Sequence, residues 1–201
     1  MIEVCEYDPA WPERFAALRD EYVEALAAAG VPVVAIEHVG STSVPGLAAR
    51  PVIDCDIVVE DEYVTAASST LEGLGFEPRG EVGIPQRWAF WEPERHAGTN
   101  TYVVVARSLA LRNHLAVRDT LRADTALRDE YAATKKHVGA SAADIYEYGA
   151  GKHEIVQRIL TAAGLSANGA GVHQLQPGTG DEEKPVRAAS PRPRPATASE
   201  V

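Results

Sequence analysis

The sequence predicts an α/β chain in which strands and helices are interleaved in one domain and a helical segment closes it. Three observations carry that reading. β-Branched runs stand at residues 33–39, 52–59 and 101–106. Ahead of and between them, apolar residues recur at the three- and four-residue spacing of amphipathic helices. From Ser108 onward the text reads as successive helices, each preceded by a polar capping residue. With 201 residues, 45% of them hydrophobic, the chain can bury one sizeable core and is too short for two independent ones.

Asp8-Pro9 opens the first helix, predicted over 12–29, where Phe15, Leu18, Tyr22, Leu26 and Ala29 form an apolar stripe that Gly30 ends. The strand at 33–39 runs into Gly40-Ser41-Thr42, where the chain must turn sharply and its N–H and hydroxyl groups become available to an anion. A second strand spans 52–59, and a helix over 62–74 stops at Gly75. The Gly- and Pro-rich stretch 79–86 is a connector, or with residues 83–87 a lid over a site. Strands are expected at 87–91 and 101–106. Ser108 precedes LALRNHLAVRDTLR, Asp124 precedes TALRDEYAATKKHV, and Ser141 with Asp144 reads as a capping box before IYEYGAGKHEIVQRIL, a helix that Gly149 and Gly151 weaken or break. After Leu165 the text turns to Gly, Ala, Ser and Pro, ending in Pro191-Arg192-Pro193-Arg194-Pro195. Such a segment buries too little apolar surface to order itself, so the chain divides into a domain over 1–165 and a disordered tail over 166–201.

The formal net charge is −10, from 29 acidic and 19 basic residues. Four acids and four bases of the tail balance, so the acidity belongs to the domain. A general nucleic-acid-binding surface, which needs a basic footprint, is excluded, although a local basic pocket is not. No apolar run approaches a membrane span, and MIEVCEYDPAW lacks the basic and apolar regions of a secretory leader, so a cytoplasmic location is expected. Cys5 and Cys55 fit that location as free, partly buried thiols.

Chemistry is concentrated in HVGSTSVPGLAARPVIDCDIVV, residues 38–59. Side chains alternate along a strand, so Asp54 and Asp56 share one face while Ile53, Cys55 and Ile57 share the other. Aspartate is disfavoured in mid-strand and two carboxylates on one face repel, so the pair predicts a cation between them rather than a strand end. Mg²⁺ suits the site, since it takes hard oxygen ligands and completes its shell with substrate phosphates and water.

These residues resemble the GrpB family of the nucleotidyltransferase superfamily, DNA polymerase β type. The superfamily is marked by a hydrophobic-Gly-[Gly/Ser] turn followed by an acid-hydrophobic-acid strand, matched here by Gly40-Ser41 and Asp54-Cys55-Asp56. The GrpB likeness adds Tyr7-Asp8-Pro9-Ala10-Trp11-Pro12, the specific string GSTSVPGL, Pro51-Val52-Ile53-Asp54, Gly83-Ile84-Pro85, Arg118-Asp119, and Tyr131 with Lys135, over roughly the first 160 residues. It implies a nucleotidyltransferase-like fold, a small mixed sheet flanked by helices with a C-terminal helical segment. It further implies binding of a nucleoside triphosphate and transfer of its nucleotidyl group to an unidentified acceptor. Asp54 and Asp56 would be the catalytic acids and metal ligands, and Gly40, Ser41, Thr42 and Ser43 would hold phosphates. Similar domains occur fused to dephospho-coenzyme A kinase, so the resemblance also allows a non-catalytic phosphometabolite-binding or accessory module near coenzyme A synthesis.

The superfamily's third carboxylate should fall in the strand containing Thr99-Asn100-Thr101-Tyr102, and no acid stands there. Asn100 offers a neutral oxygen; Glu92 or Glu94 would have to reach in from the preceding strand. Further cations are candidates for phosphate. Arg50 sits where the family has Lys, Arg118 lies in a His114–Arg118–Arg122 stripe at four-residue spacing, and Lys152 precedes the terminal hydrophobic turn. Each has a plainer reading as a solvated cation, or for Lys152 and Lys135 as a lysine snorkelling beside Tyr148 and Tyr131. His38 reads as a structural histidine. Trp88, Phe90 and Trp91 are open between core packing and stacking on a base.

Overall fold

A strand made of Ile and Val has to bury both faces, and Ile53–Val59 (β2) does so inside a five-stranded sheet. The computed structural model describes residues 1–165. In chain order the elements are helix α1 (Trp11–Ala28), strand β1 (Ala35–Val39), a 3-10 turn at Ser41–Ser43, β2, a 3-10 turn at Asp61–Tyr63, helix α2 (Val64–Gly73), strands β3 (Glu77–Gly80) and β4 (Arg87–Trp91), a 3-10 turn at Glu94–His96, and strand β5 (Thr99–Val105). Four helices follow, α3 (Leu109–Ala123), α4 (Thr125–Ser141), α5 (Ile145–Gly151) and α6 (His153–Ala162). The strand order is β1-β2-β5-β4-β3. β2 and β5 run parallel and the other pairs antiparallel, so the sheet is mixed.

Alternation sorts the two faces. Ile53, Cys55, Ile57 and Val59 of β2, with Phe90, Val103 and Val105, pack beneath Leu18, Tyr22 and Leu26 of α1 and Ala67 and Leu71 of α2. The opposite face carries Asp54 and Asp56 at one end. At the other, Val58, Ala89, Tyr102 and Val104 pack on Ala110 and Leu111 of α3. A third cluster joins Leu121, Tyr131, Ile155, Val156, Ile159 and Leu160 of the helices to Val44 and Leu47, which follow the turn after β1. The C-terminal helices are thereby anchored over the acid-bearing end of the sheet.

The sequence-based boundaries shift in a few places, each for a local reason. The helix expected over 62–74 begins as a 3-10 turn and becomes α-helical at Val64. The four-residue β3 was not expected because Pro78 and Gly80 sit in it; an edge strand tolerates both, since its outer N–H groups need no partner. Ser141 closes α4 rather than capping the next helix. The box is made instead by Asp144, whose side chain accepts from Glu147 N, while Glu147 Oε2 accepts from Ala143 N. The final helix, which Gly149 and Gly151 were expected to weaken or break, does divide, at Lys152. There α5 crosses α4 so closely that a Cβ on Gly151 would lie 2.6 Å from Val138. The N-terminus also ties α4 to the segment before β2: Ile2 N donates to Gly139 O and Cys5 pairs with Ala49. Both cysteines are free. No helix among the described residues is long and apolar enough to cross a membrane. The tail expected to be disordered, 166–201, lies outside the described residues.

Candidate functional site

Gly40 and Asp54 are built against each other. Val39 pairs with Asp54 across β1 and β2, and Gly40 then leaves the strand at φ +68° and ψ −172°, a conformation essentially reserved for glycine. A Cβ there would stand 2.1 Å from Asp54 Oδ2. Across the parallel β2–β5 pair, Asn100 lies beside Asp54 and donates from Nδ2 to Asp54 Oδ1 at 2.7 Å. Two residues on, Asp56 is fully buried. His114 of α3 donates from Nδ1 to Asp56 Oδ2 at 2.7 Å, the tautomer a carboxylate acceptor requires. Asp56 Oδ1 is buried with no hydrogen-bond partner among the described residues. Burial pushes the Asp54 carboxyl up, against the Asn100 hydrogen bond and the neighbouring His114 and Arg50, which favour its ionised form.

Asp54 opens on a cavity enclosing about 160 Å³, while Asp56 stays behind its wall. Gly40 and Ser41, Arg50, Lys152 and Tyr148 line it on one side, Tyr102, Arg87 and Ile84 on another. Lys152 Nζ lies 3.9 Å from the centre of the Tyr148 ring. Burial, with Arg50 adding to it, holds the Lys152 ammonium down at about 7. Beside it, Lys135 is 1% exposed, has no hydrogen-bond partner for Nζ among the described residues, and lies 4.7 Å from the Tyr131 ring centre. Burial lowers it well below the ordinary lysine range, so it is an enclosed amine and not the snorkelling lysine its spacing predicts. Tyr131 in turn hydrogen bonds the Ser41 side chain, tying α4 to the turn.

The structure brings Gly40, Ser41, Arg50, Asp54 and Lys152 to one cavity and sets the other candidates apart. Thr42 Oγ1 donates to Val52 O and bonds His38 Nε2, while Ser43 Oγ donates to Gly40 O, so both hydroxyls are turned into the fold and hold the turn's shape. The cationic stripe on α3 divides. His114 reaches Asp56, whereas Arg118 donates to Glu37 Oε2, Asp119 Oδ1 and His38 O, and Arg122 donates to Ser43 O. These two arginines stitch α3 to β1 and to the turn. Glu92 does not replace the third acid: its Oε1 accepts from Thr101 N, and burial raises it to about 7. Phe90 lies in the core and Trp88 packs against it, while Trp91 carries the Arg79 guanidinium at 3.9 Å. The aromatic groups that do line the cavity are Tyr102, Tyr131 and Tyr148. Arg87 and Tyr102 were missed in the sequence. Arg87 alternates with Ala89 in β4, a pattern that would place it opposite the core-facing Trp88 and Phe90, but nothing local says what that face meets.

Two carboxylates, one with an unpaired buried oxygen and one pressed against a glycine that leaves room for it, fit a small hard cation. Among the described residues no group of three or more His, Cys, Asp or Glu side chains is arranged to hold a metal.

Comparison with known proteins bears on the family and the fold. A family model described as GrpB protein matches residues 1–162. The UPF0157 protein YqkA of Bacillus subtilis strain 168 is 35% identical over 159 residues, which cover 78% of this chain and 45% of that relative's length. The crystal structure of the conserved protein GrpB from Enterococcus faecalis aligns over 80% of this chain and 98% of its own, with 30% identity and a TM-score of 0.67. The GLD-2/RNP-8 complex aligns over 76% of this chain and 50% of that one, with 16% identity and a TM-score of 0.54, a likeness of fold alone.

Proposed function

The chain belongs to the GrpB family and has a nucleotidyltransferase-like fold, and on that premise we propose that it binds a nucleoside triphosphate with Mg²⁺ and transfers the nucleotidyl group to an acceptor. The observation that carries this reading is the contact of Gly40 with Asp54 beside Asp56, whose Oδ1 is buried and unpaired. Gly40 and Ser41 offer backbone and hydroxyl donors to the phosphates, and Arg50 and Lys152 line the same side of the cavity. Its volume is below the ~300–1,000 Å³ usual for ligand pockets. The phosphates therefore sit inside and the base lies at the mouth.

Asp54 and Asp56 are the residues that would hold Mg²⁺. When bound, the ion supplies charge neutralisation at the reacting phosphates. Asn100 and His114 each hold one oxygen of an acid, fixing both carboxylates before any ligand arrives. Arg50 and Lys152 balance phosphate charge, and because Lys152 titrates near 7, an incoming polyanion favours its charged form. Asn100 orients but has no basic site at neutral pH to take a proton from an acceptor.

That last feature also favours a second reading, a binding module for a phosphorylated metabolite that performs no transfer. Thermal shift with each nucleoside triphosphate, with and without Mg²⁺, on the wild type and Asp54→Ala/Asp56→Ala, tests both. The transferase reading expects a Mg²⁺-dependent rise in Tm that the double variant loses. A rise that survives in the variant supports nucleotide binding without the metal, and no rise with any nucleotide ends the reading.

A further inference from the structure

Arg87 is 5% exposed and lines the cavity, yet its Nε has no hydrogen-bond partner among the described residues. The guanidinium lies over the Tyr102 ring, 4.5 Å from its centre. Stacking satisfies the flat face of the group and leaves the Nε–H, which is costly to bury until an acceptor meets it. Its position separates it from the phosphate end. The Gly40-Ser41 turn follows β1 while Arg87 stands on β4, with β2 and β5 between them, so at ~4.8 Å per strand step the two strands are ~14 Å apart. Tyr102 pairs with Asp56 on β5, so the guanidinium above its ring stands on the far side of β2 from the Gly40-Ser41 turn. A second observation bears on the same flank. Asn100 occupies the place beside Asp54 where a third carboxylate would remove a proton from the acceptor.

Resting on the nucleotidyl-transfer reading of this site, we propose that the acceptor is an oxyanion, a phosphate or a carboxylate, seated on Arg87 in the cavity that Asp54 also lines, and that this oxyanion is itself the attacking group. One of its oxygens forms a bond to the α-phosphorus. The bond from that phosphorus to the oxygen bridging to the β-phosphate breaks with its electron pair, and pyrophosphate leaves. The nucleophile is already ionised at neutral pH, so no proton moves and no general base is needed. A phosphate acceptor yields a phosphoanhydride and a carboxylate acceptor an acyl nucleotide. A neutral hydroxyl acceptor would need the base that Asn100 replaces and would leave the Arg87 edge unpaired.

The test follows the Arg87 Nε–H resonance of the full chain by NMR, assigned by its loss in Arg87→Lys. Inorganic phosphate, acetate and glycerol are titrated separately, with and without Mg²⁺ and an α,β-methylene nucleoside triphosphate. Phosphate or acetate moves the resonance and glycerol does not, and which anion moves it names the acceptor class. Arg87→Met, folded as judged by its unliganded Tm, weakens that anion's binding roughly tenfold or more and leaves binding of the triphosphate analogue unchanged. The proposal is overturned if neither anion moves the resonance, if Arg87→Met weakens the analogue as much as Lys152→Met does, or if glycerol is nucleotidylated from the true triphosphate while the anions are not. Should the analogue bind nowhere in the wild type, nucleotidyl transfer fails on its own account, and the anion titration without analogue still decides whether Arg87 is an oxyanion seat.

Discussion

The two faces of one strand treat polar atoms in opposite ways. On the face of the sheet beneath α1 and α2, the polar groups of the core are paired with one another: Tyr22 Oη bonds Thr101 Oγ1 at 2.7 Å, and His96 Nε2 bonds Glu21 at 3.2 Å, with Ser68 Oγ of α2 the exception among the described residues. On the other face, Asp56 Oδ1 and Arg87 Nε are buried without hydrogen-bond partners. An unpaired buried polar atom costs about 1–3 kcal/mol; Arg87 lines the cavity, and Asp56 lies behind its wall, bonded to the cavity-lining His114. The difference teaches where this fold spends its stability. The first face is a core, and the second borders a cavity.

The comparison breaks most visibly when a residue is cut from the core face. Ile57→Ala should cost about 2–5 kcal/mol in chemical denaturation, while the molecules that stay folded keep their Mg²⁺- and nucleotide-dependent rise in Tm. If that rise disappears with Ile57, the faces are not independent.

Next in size is the pH dependence of His38, which stands on β1, faces the core side stacked on Phe15, and bonds Thr42. Burial, helped by Arg122 and Arg118, pushes its imidazole down from 6.5 to about 4. The unfolded chain therefore takes up this proton first as pH falls. The contribution is intact above about 6.5 and is lost progressively as pH falls to about 4, amounting to about 3 kcal/mol. His38→Gln, which can still bond Thr42, should remove that slope relative to the wild type when stability is measured across the same pH range.

Gly40→Ala comes third. Its positive φ adds roughly 1–3 kcal/mol of strain, and its Cβ would push Asp54 aside, so a moderate loss of stability should be joined by complete loss of the nucleotide-dependent Tm shift. A variant that retains the shift would show that the Gly40–Asp54 contact is structural only.

The smallest effect has the opposite sign. Asp56→Asn keeps an oxygen for His114 and removes a buried charge with an unpaired atom, so it should raise stability by about 1 kcal/mol while abolishing the Mg²⁺ response. Loss of stability there would place Asp56 with the core rather than with the site.

Much of this was legible in the text of the chain. The periodicity of Phe15, Leu18, Tyr22 and Leu26 located α1, and Ser108 and Asp124 marked the starts of α3 and α4, where their side chains accept from Leu111 N and Leu127 N. β3 was hidden because its Pro and Gly oppose strand formation and only its edge position permits them. Thr42 and Arg118 show the limit for the site. Their types suit a phosphate, yet each is committed to neighbours that sequence spacing does not reveal, Val52 O for Thr42 and Glu37 for Arg118.

By itself the sequence determined that Asp54 and Asp56 share a face and that Gly40 turns the chain just before them. Both follow from local geometry, the two-residue period of a strand and the φ that only glycine adopts freely. Tertiary structure alone decided what those acids meet. Asn100 is 46 residues from Asp54 and His114 is 58 from Asp56, and Arg87 comes from a strand two places across the sheet from β2. Such partners are set by strand order and register, which arise from burying both faces of β2 and β5 at once and are written in no single stretch of the chain.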